Sequence, residues 1–219
     1  MSVQTAKKRV AILISGRGSN MVSLIEAARA PDYPAEIVLV LANRPDAAGL
    51  ARAREAGIPA RAIDHKAFSD RTGFDAALQA ELDAAGIELI VLAGFMRILT
   101  DAFVEAWAGR MINIHPSLLP LFRGTHTHAQ ALAAGVRLHG CTVHFVVPEL
   151  DAGPIVAQAA VPVLPGDNAE RLAARVIVQE HRLYPAAFAL VAGGLARLEN
   201  GRVVFSDAVA ATDGALLSL

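Results

Sequence analysis

The sequence predicts an α/β fold: a doubly wound, mostly parallel, Rossmann-like sheet with antiparallel strands added by the C-terminal part. Three observations predict it. Short apolar, β-rich runs alternate with helix-patterned stretches from Arg9 to Gly135, the arrangement of parallel strands joined by right-handed crossovers. The runs Val10–Ile14 and Leu89–Ala93 are apolar throughout, as expected of strands buried on both faces. Beyond Gly135, the β-rich segments His139–Val147 and Pro154–Val163 are joined only by Pro148–Gly153. That joint is too short for a crossover helix and predicts an antiparallel hairpin.

The first strand, Arg9–Ile14, leads into Ser15-Gly-Arg-Gly-Ser-Asn20 and then a helix-spaced stretch, Met21–Arg29. Gly16 and Gly18 let backbone N–H groups approach a ligand, and the helix N-terminus adds partial positive charge. A phosphate suits this loop; a tight turn with Ser19 or Asn20 as N-cap is the competing account. A dinucleotide fingerprint needs a third glycine where Met21 stands. It also needs an acid after the second strand, where Glu36–Ala42 runs into Asn43-Arg44-Pro45. The loop therefore fits a phosphomonoester better than NAD. Asp46–Gly57 predicts a short helix closed by Gly57. Pro59–Ile63 predicts a third strand, Asp64–Arg71 an irregular polar segment, and Phe74–Ala85 an amphipathic helix ending at Gly86. The fourth strand, Leu89–Ala93, opens into Gly94-Phe-Met-Arg-Ile-Leu99. Apolar Met96, Ile98 and Leu99 around Arg97 suit a flat apolar ligand with a polar rim, or else cover the next helix, Thr100–Ala108, with Thr100 as N-cap.

Met111–His115 predicts the fifth strand, stopped by Pro116, which cannot donate to a ladder. Asn113 and His115 interrupt its apolar run two residues apart, so both side chains point to one side. Open α/β sheets build their sites at the carboxyl ends of strands. Here an amide and an imidazole form a donor pair aimed at one spot, or they cap backbone groups of a turn. Leu118–His128 reads as a long loop whose length suggests a lid. His126 and His128 have a spacing that could hold a metal, but no third ligand is evident nearby, so they read as loop or cap histidines. Ala129–Ala134 predicts a helix ended by Gly135. Thr142 and His144 share a strand face, with His144 read as a satisfied interior histidine rather than a proton carrier. Asp151 sits in the hairpin loop. Asp167 is expected to cap a long helix, about Ala169–Val191, that carries Glu180 and His181. Leu195–Leu198 and Arg202–Phe205 predict a terminal hairpin with a type I′ turn at Asn200-Gly201. Ser206–Leu219 reads as a weakly ordered tail after a core of about residues 9–205. With no repeat or linker, residues 1–219 are expected to form one domain.

The composition excludes several classes. The chain of 219 residues is 54% hydrophobic with mean hydropathy +0.42, yet no run approaches the roughly 20 apolar residues of a membrane span. The basic N-terminus leads into a short strand without a signal-peptide pattern, so a cytoplasmic protein is expected. The single Cys141 leaves no intrachain disulfide and no cysteine metal cluster. A net charge of −1 without a Lys/Arg run argues against an extended nucleic-acid surface.

Five motifs occur in order: S-G-R-G-S-N at Ser15–Asn20, A-G-F-M-R-I-L at Ala93–Leu99, N-I-H-P-S-L-L-P at Asn113–Pro120, H-F-V-V-P-E-L-D-A-G-P at His144–Pro154, and A-A-R-V-I-V-Q-E-H at Ala173–His181. Together, from about Arg9 to Phe205, they resemble the phosphoribosylglycinamide formyltransferases, folate-dependent enzymes of purine synthesis. The central motif with its downstream D-x-G-P is similar to 10-formyltetrahydrofolate enzymes generally; the glycine loop and short length single out this member. The resemblance implies a formyltransferase fold and transfer of a formyl group from 10-formyltetrahydrofolate, as cosubstrate and without a metal, to the amine of glycinamide ribonucleotide. It implies small-molecule substrates, no nucleic acid or membrane partner, and a monomer or homodimer. By the same resemblance Gly18, Ser19 and Asn20 hold the substrate phosphate and Glu180 contacts the same molecule. Arg71, Met96, Arg97, Ile98, Leu99 and Asn113, with Val147, Pro148, Glu149, Leu150 and Asp151, line the folate pocket. Asn113, His115 and Asp151 form the catalytic trio. Ile177 replaces a polar residue that some members carry near the phosphate, and the variable Phe122–Arg123 pair is assigned no role.

The chemistry follows from these residue types. An amine attacking a formyl carbon creates an oxyanion, and each preplaced donor at that oxygen is worth roughly 3–4 kcal/mol. Asn113 offers a neutral N–H and a protonated His115 a charged one, with Asp151 favouring the imidazolium. Asp151 and His115 can carry the proton from the attacking amine to the leaving nitrogen. Among rivals, a formyltransferase acting on methionyl-tRNA needs an RNA-binding domain and basic surface. A 10-formyltetrahydrofolate hydrolase needs a regulatory domain ahead of Arg9. A nucleotide-binding sensor has no reason to place the trio at strand ends.

Overall fold

The computed structural model describes residues 6–209. The N-terminal strand β1 (Lys8–Ile14) is followed by α1 (Ser19–Ala28), β2 (Ala35–Ala42), α2 (Gly49–Glu55) and β3 (Ala60–Ala62). A 3-10 turn at His65–Ala67 precedes α3 (Arg71–Ala84), β4 (Leu89–Leu92), α4 (Asp101–Ala106), β5 (Met111–His115) and α5 (Thr127–Ala133). The chain continues through β6 (Leu138–Phe145), β7 (Ile155–Pro162), the long α6 (Ala169–Ala192), β8 (Ala196–Glu199) and β9 (Arg202–Phe205).

Seven strands form one sheet in the order β3-β2-β1-β4-β5-β6-β7. The first five named are mutually parallel, and β6 and β7 are antiparallel. This is the doubly wound sheet with an antiparallel extension that the alternation of elements predicts. Side chains alternate across each strand, so β1 feeds two apolar layers. Val10, Ile12 and Ile14 pack with α1 and α6 on one face. Ala11 and Leu13 pack with Phe74, Leu78 and Trp107 on the other. Tyr184, fully buried in α6, ties helix to sheet: its hydroxyl donates to the Leu92 carbonyl at 2.8 Å and lies 3.3 Å from that of Ile112. No helix among the described residues is long and apolar enough to cross a membrane.

The structure moves the starts of α3 and α5 and changes the cap of α6. Helix α3 begins at Arg71 rather than Phe74, because the Asp70 carboxylate accepts from the Gly73 N–H and caps the first turn. Helix α5 begins at Thr127, two residues early. Helix α6 is capped by Asn168, whose side chain accepts from the Arg171 N–H. Asp167 instead accepts from the Leu164 N–H and pairs with Arg175 at 2.7 Å, and that guanidinium holds its carboxyl down to about 2. The terminal hairpin forms as predicted, with Asn200 at φ 51° and Gly201 at φ 74°. The expected weakly ordered tail lies, from residue 210 onward, outside the described residues.

Candidate active site

The site forms at the carboxyl ends of β1, β4 and β5, completed by the β6–β7 turn. Along β5, Ile112 and Ile114 are buried in the first apolar layer, which sends Asn113 and His115 to the opposite face. Antiparallel register sets His144 across from Asn113 and Thr142 across from His115, so four polar side chains share one face. The His144 Nδ1 lies 2.9 Å from the carbonyl of Phe145, and its Nε2 lies 3.3 Å from the Asn113 amide nitrogen. Only an Nδ1–H tautomer serves both contacts: Nδ1 donates, and Nε2 accepts one Asn113 amide hydrogen. The second amide hydrogen remains free. Burial pushes His144 below its ordinary value, in keeping with a neutral interior ring.

His115 is buried between two acceptors. Its Nδ1 is 3.4 Å from Asp151 Oδ2, and its Nε2 donates to the Phe122 carbonyl at 2.9 Å. Asp151 stands at φ 51°, a left-handed conformation uncommon for a residue with a Cβ and found often at functional sites. Its Oδ2 also accepts from the Gly124 N–H at 2.8 Å, while Oδ1 lies 4.0 Å from His144 Nε2. Two residues on, a Cβ on Gly153 would overlap the Phe145 carbonyl oxygen. The turn that carries Asp151 can therefore close against β6 only with glycine there.

The 116–126 segment is folded down on this site. The Phe122 carbonyl meets His115, the Gly124 N–H meets Asp151, and Arg123 pairs with Glu149 at 2.6 Å. The Ser117 and Leu119 carbonyls accept from Thr142 Oγ1 and Gln158 Nε2 at 2.7 and 2.9 Å, anchoring the base of the segment. Phe122 and Arg123, assigned no role from sequence, are thus contact residues. Phe122 acts through its backbone carbonyl, which any residue could supply, so its side chain gave no signal.

At the end of β1, Gly18 takes φ 69° and precedes α1, whose first turn has no side-chain cap. Neither Ser19 nor Asn20 caps the helix, contrary to the tight-turn alternative, and its N-terminal N–H groups are left for an anion. The Asn20 amide instead donates to Glu180 Oε2 at 2.6 Å, and Asn20 Oδ1 is buried without a partner. Burial raises the Glu180 carboxyl above its ordinary value. The structure thereby joins residues 160 positions apart. Ile177 lies one turn earlier on α6.

The residues expected for folate fall into two places. Arg71, Met96, Arg97 and Ile98 line a cavity of about 790 Å³, and Met96 and Ile98 are 69% and 58% exposed. Val147 to Asp151 belong instead to the β6–β7 turn, on the other side of Asn113. Leu99, also expected there, has its side chain buried in the second apolar layer, where the loop re-enters the core to start α4. The cavity also takes in Asn43, Arg44 and His65, which the sequence did not mark. They follow β2 and β3, and only the sheet order brings them beside β4. Among the described residues, no group of three or more His, Cys, Asp or Glu side chains is placed to hold a metal ion.

Residues 8–188 match the formyl transferase family. The chain is 46% identical, over 191 residues, to phosphoribosylglycinamide formyltransferase of Escherichia coli, covering 87% of this chain and 90% of that protein. It is 52% identical over 203 residues to the trifunctional purine biosynthetic protein adenosine-3 of Bos taurus, covering 92% of this chain but only 20%, about a fifth, of that relative's length. Glycinamide ribonucleotide transformylase 1 from Symbiobacterium toebii superposes with a TM-score of 0.90 at 45% identity, covering 94% of this chain and 98% of that one. The chain belongs to the formyl transferase family, among the phosphoribosylglycinamide formyltransferases.

Proposed function

We propose that this chain transfers the formyl group of 10-formyltetrahydrofolate to the primary amine of glycinamide ribonucleotide, giving formylglycinamide ribonucleotide and tetrahydrofolate. The observation that carries the reading is the meeting of Asn113, His115 and Asp151 at the end of β5, with His115 Nδ1 3.4 Å from Asp151. All three come from one chain, in one formyltransferase domain built on the core of residues 9–205, and both substrates are small molecules.

The ribonucleotide phosphate sits on the α1 N-terminus at Gly18–Asn20, with Glu180 contacting the same substrate. The folate lies across the strand ends, its ring toward Val147–Asp151 and its tail toward Met96–Ile98 and Arg71. The amine nitrogen bonds to the formyl carbon as the carbonyl oxygen takes negative charge. The free amide hydrogen of Asn113 meets that oxygen, in a position fixed by His144. The amine proton passes to Asp151, through its free Oδ1 or one water, and on to the folate nitrogen as the bond from nitrogen to the formyl carbon breaks. With Nε2 held by the Phe122 carbonyl, His115 positions Asp151 across the 3.4 Å contact at Nδ1. It can reach the oxyanion only when the 116–126 segment lifts.

Asn113→Ala tests the assignment. The turnover number is expected to fall by about 10²–10³ while the folate KM changes little, since the partner charge exists only in the transition state. Equal losses carried by KM alone would remove the oxyanion role.

A further inference from the structure

The glycine loop ahead of α1 carries one cation, Arg17, and the backbone around it is fixed. The Ser15 N–H donates to the Gly94 carbonyl at 3.1 Å, and the Gly16 carbonyl accepts from the Gly49 N–H at 2.9 Å. The Gly18 carbonyl accepts from the Val22 N–H at 3.1 Å. Arg17 itself is exposed, and among the described residues no carboxylate pairs with it. A Cβ on Gly16 would meet nothing within 4 Å, so the space beside the loop is open to the guanidinium.

A phosphomonoester at the start of α1 brings about 1.5–2 negative charges at neutral pH. The helix N-terminus answers about half a charge. The neighbouring face of α6 adds no cation. Glu180 meets the first turn of α1 through its bond to Asn20 at 2.6 Å. The residues three and four places from Glu180, which share its side of the helix, are Val176, Ile177, Leu183 and Tyr184. A carboxyl and four uncharged side chains therefore stand where a cation from α6 would have to come from. Within Ser15–Val22 the charge can come only from Arg17. Its Cα lies about 3.8 Å from that of Gly18, the residue whose positive φ leads the chain into α1. In the same first turn Asn20 is 9% exposed and its Oδ1 is buried without a partner, an acceptor left for a donor on the ligand.

We propose that Arg17 is the charged partner of the ribonucleotide phosphate, its guanidinium folding over the N-terminus of α1 to hold phosphate oxygens that the backbone N–H groups leave uncovered. The proposal rests on the formyl-transfer reading above and adds a side chain to Gly18, Ser19, Asn20 and Glu180. The planar fork of an arginine matches two oxygens of one phosphate. Ordering an exposed side chain offsets part of that gain, so the contact is one of moderate strength. The rigid loop keeps the cost to the side chain alone.

The test compares kcat/KM for glycinamide ribonucleotide and for the ribonucleoside that lacks its phosphate, with the full chain and 10-formyltetrahydrofolate at low ionic strength. The ratio of the two measures what the phosphate adds. Arg17→Ala is expected to cut that ratio by about three- to tenfold, with the loss carried by the ribonucleotide KM rather than by kcat. Arg17→Gln is expected to match it, and Arg17→Lys to keep part of the ratio, since it keeps the charge without the fork. Raising the salt shrinks the parent's ratio more than that of Arg17→Ala. A merely structural role would lower both acceptors alike and leave the ratio unmoved. An unmoved ratio in Arg17→Ala overturns the proposal. So does a raised KM for 10-formyltetrahydrofolate alone, which gives Arg17 to the folate. Calorimetric binding of the ribonucleotide without folate keeps the two readings apart, because Arg17→Ala is expected to raise that Kd by the same factor whether or not transfer occurs. No transfer by the parent contradicts the reaction, whereas transfer with ratio and Kd both unmoved in Arg17→Ala contradicts the role of Arg17 alone.

Discussion

Asn113 and His144 divide their hydrogen bonds so that one amide hydrogen stays free, and a two-residue spacing on β5 brings His115 to the same side. That spacing is visible in the sequence because polar residues stand out in an apolar strand. Asp151 was legible as a carboxylate in a short hairpin loop. The Phe122 carbonyl was not, since backbone atoms carry no residue signature. Glu180 is a second residue whose burial has a measurable consequence. Burial raises its carboxyl above the ordinary 4.5. Between that value and the raised one, the folded chain holds a proton that the unfolded chain releases, so stability falls as pH rises through the window. Glu180→Gln removes this cost. The melting temperature of the variant is expected to exceed the parent's by a margin that widens as pH is taken from 4.5 toward 7, while the KM for glycinamide ribonucleotide rises. A margin independent of pH would contradict burial of the charge.

The β6–β7 turn is the element that brings a carboxylate, Asp151, to the strand end, and Gly153 is its closest point of approach. Gly153→Ala forces the turn away from the Phe145 carbonyl and shifts Asp151 with it. A loss of about 1–3 kcal/mol in denaturant unfolding, together with a lower turnover number, is expected. Full activity in that variant would show that the turn position does not set the chemistry. Strand positions were read closely from apolar runs, with β5 matching residue for residue. Helix starts and caps were read less well: α3 begins three residues early and α6 takes a different cap, because several capping-type residues stand in a row before each and only the backbone decides between them. Asp167 and Asn168 are the clear case: the carboxylate goes to Arg175 and the amide caps the helix.

Across the whole molecule, α6 links the substrate end of the sheet to its core, through Glu180 at one turn and Tyr184 at the next. Tyr184→Phe removes the hydroxyl's hydrogen bond to the Leu92 carbonyl in the core. It is expected to lower the melting temperature by about 3–8 °C with little change in KM; an unchanged melting temperature would remove the tie. The doubly wound class was legible from alternating elements, but the order of strands was not, because many orders satisfy the same alternation. That order is what brings Arg44 and His65 beside Met96, and a sequence read strand by strand could not reach it. The central claim is that the strand-end trio moves a formyl group to an amine. Spectrophotometric release of tetrahydrofolate from 10-formyltetrahydrofolate, followed with and without glycinamide ribonucleotide, tests it most directly. Release that depends on the ribonucleotide, and is lost in Asp151→Asn, is the expected result; release that ignores the amine would contradict transfer and point to hydrolysis.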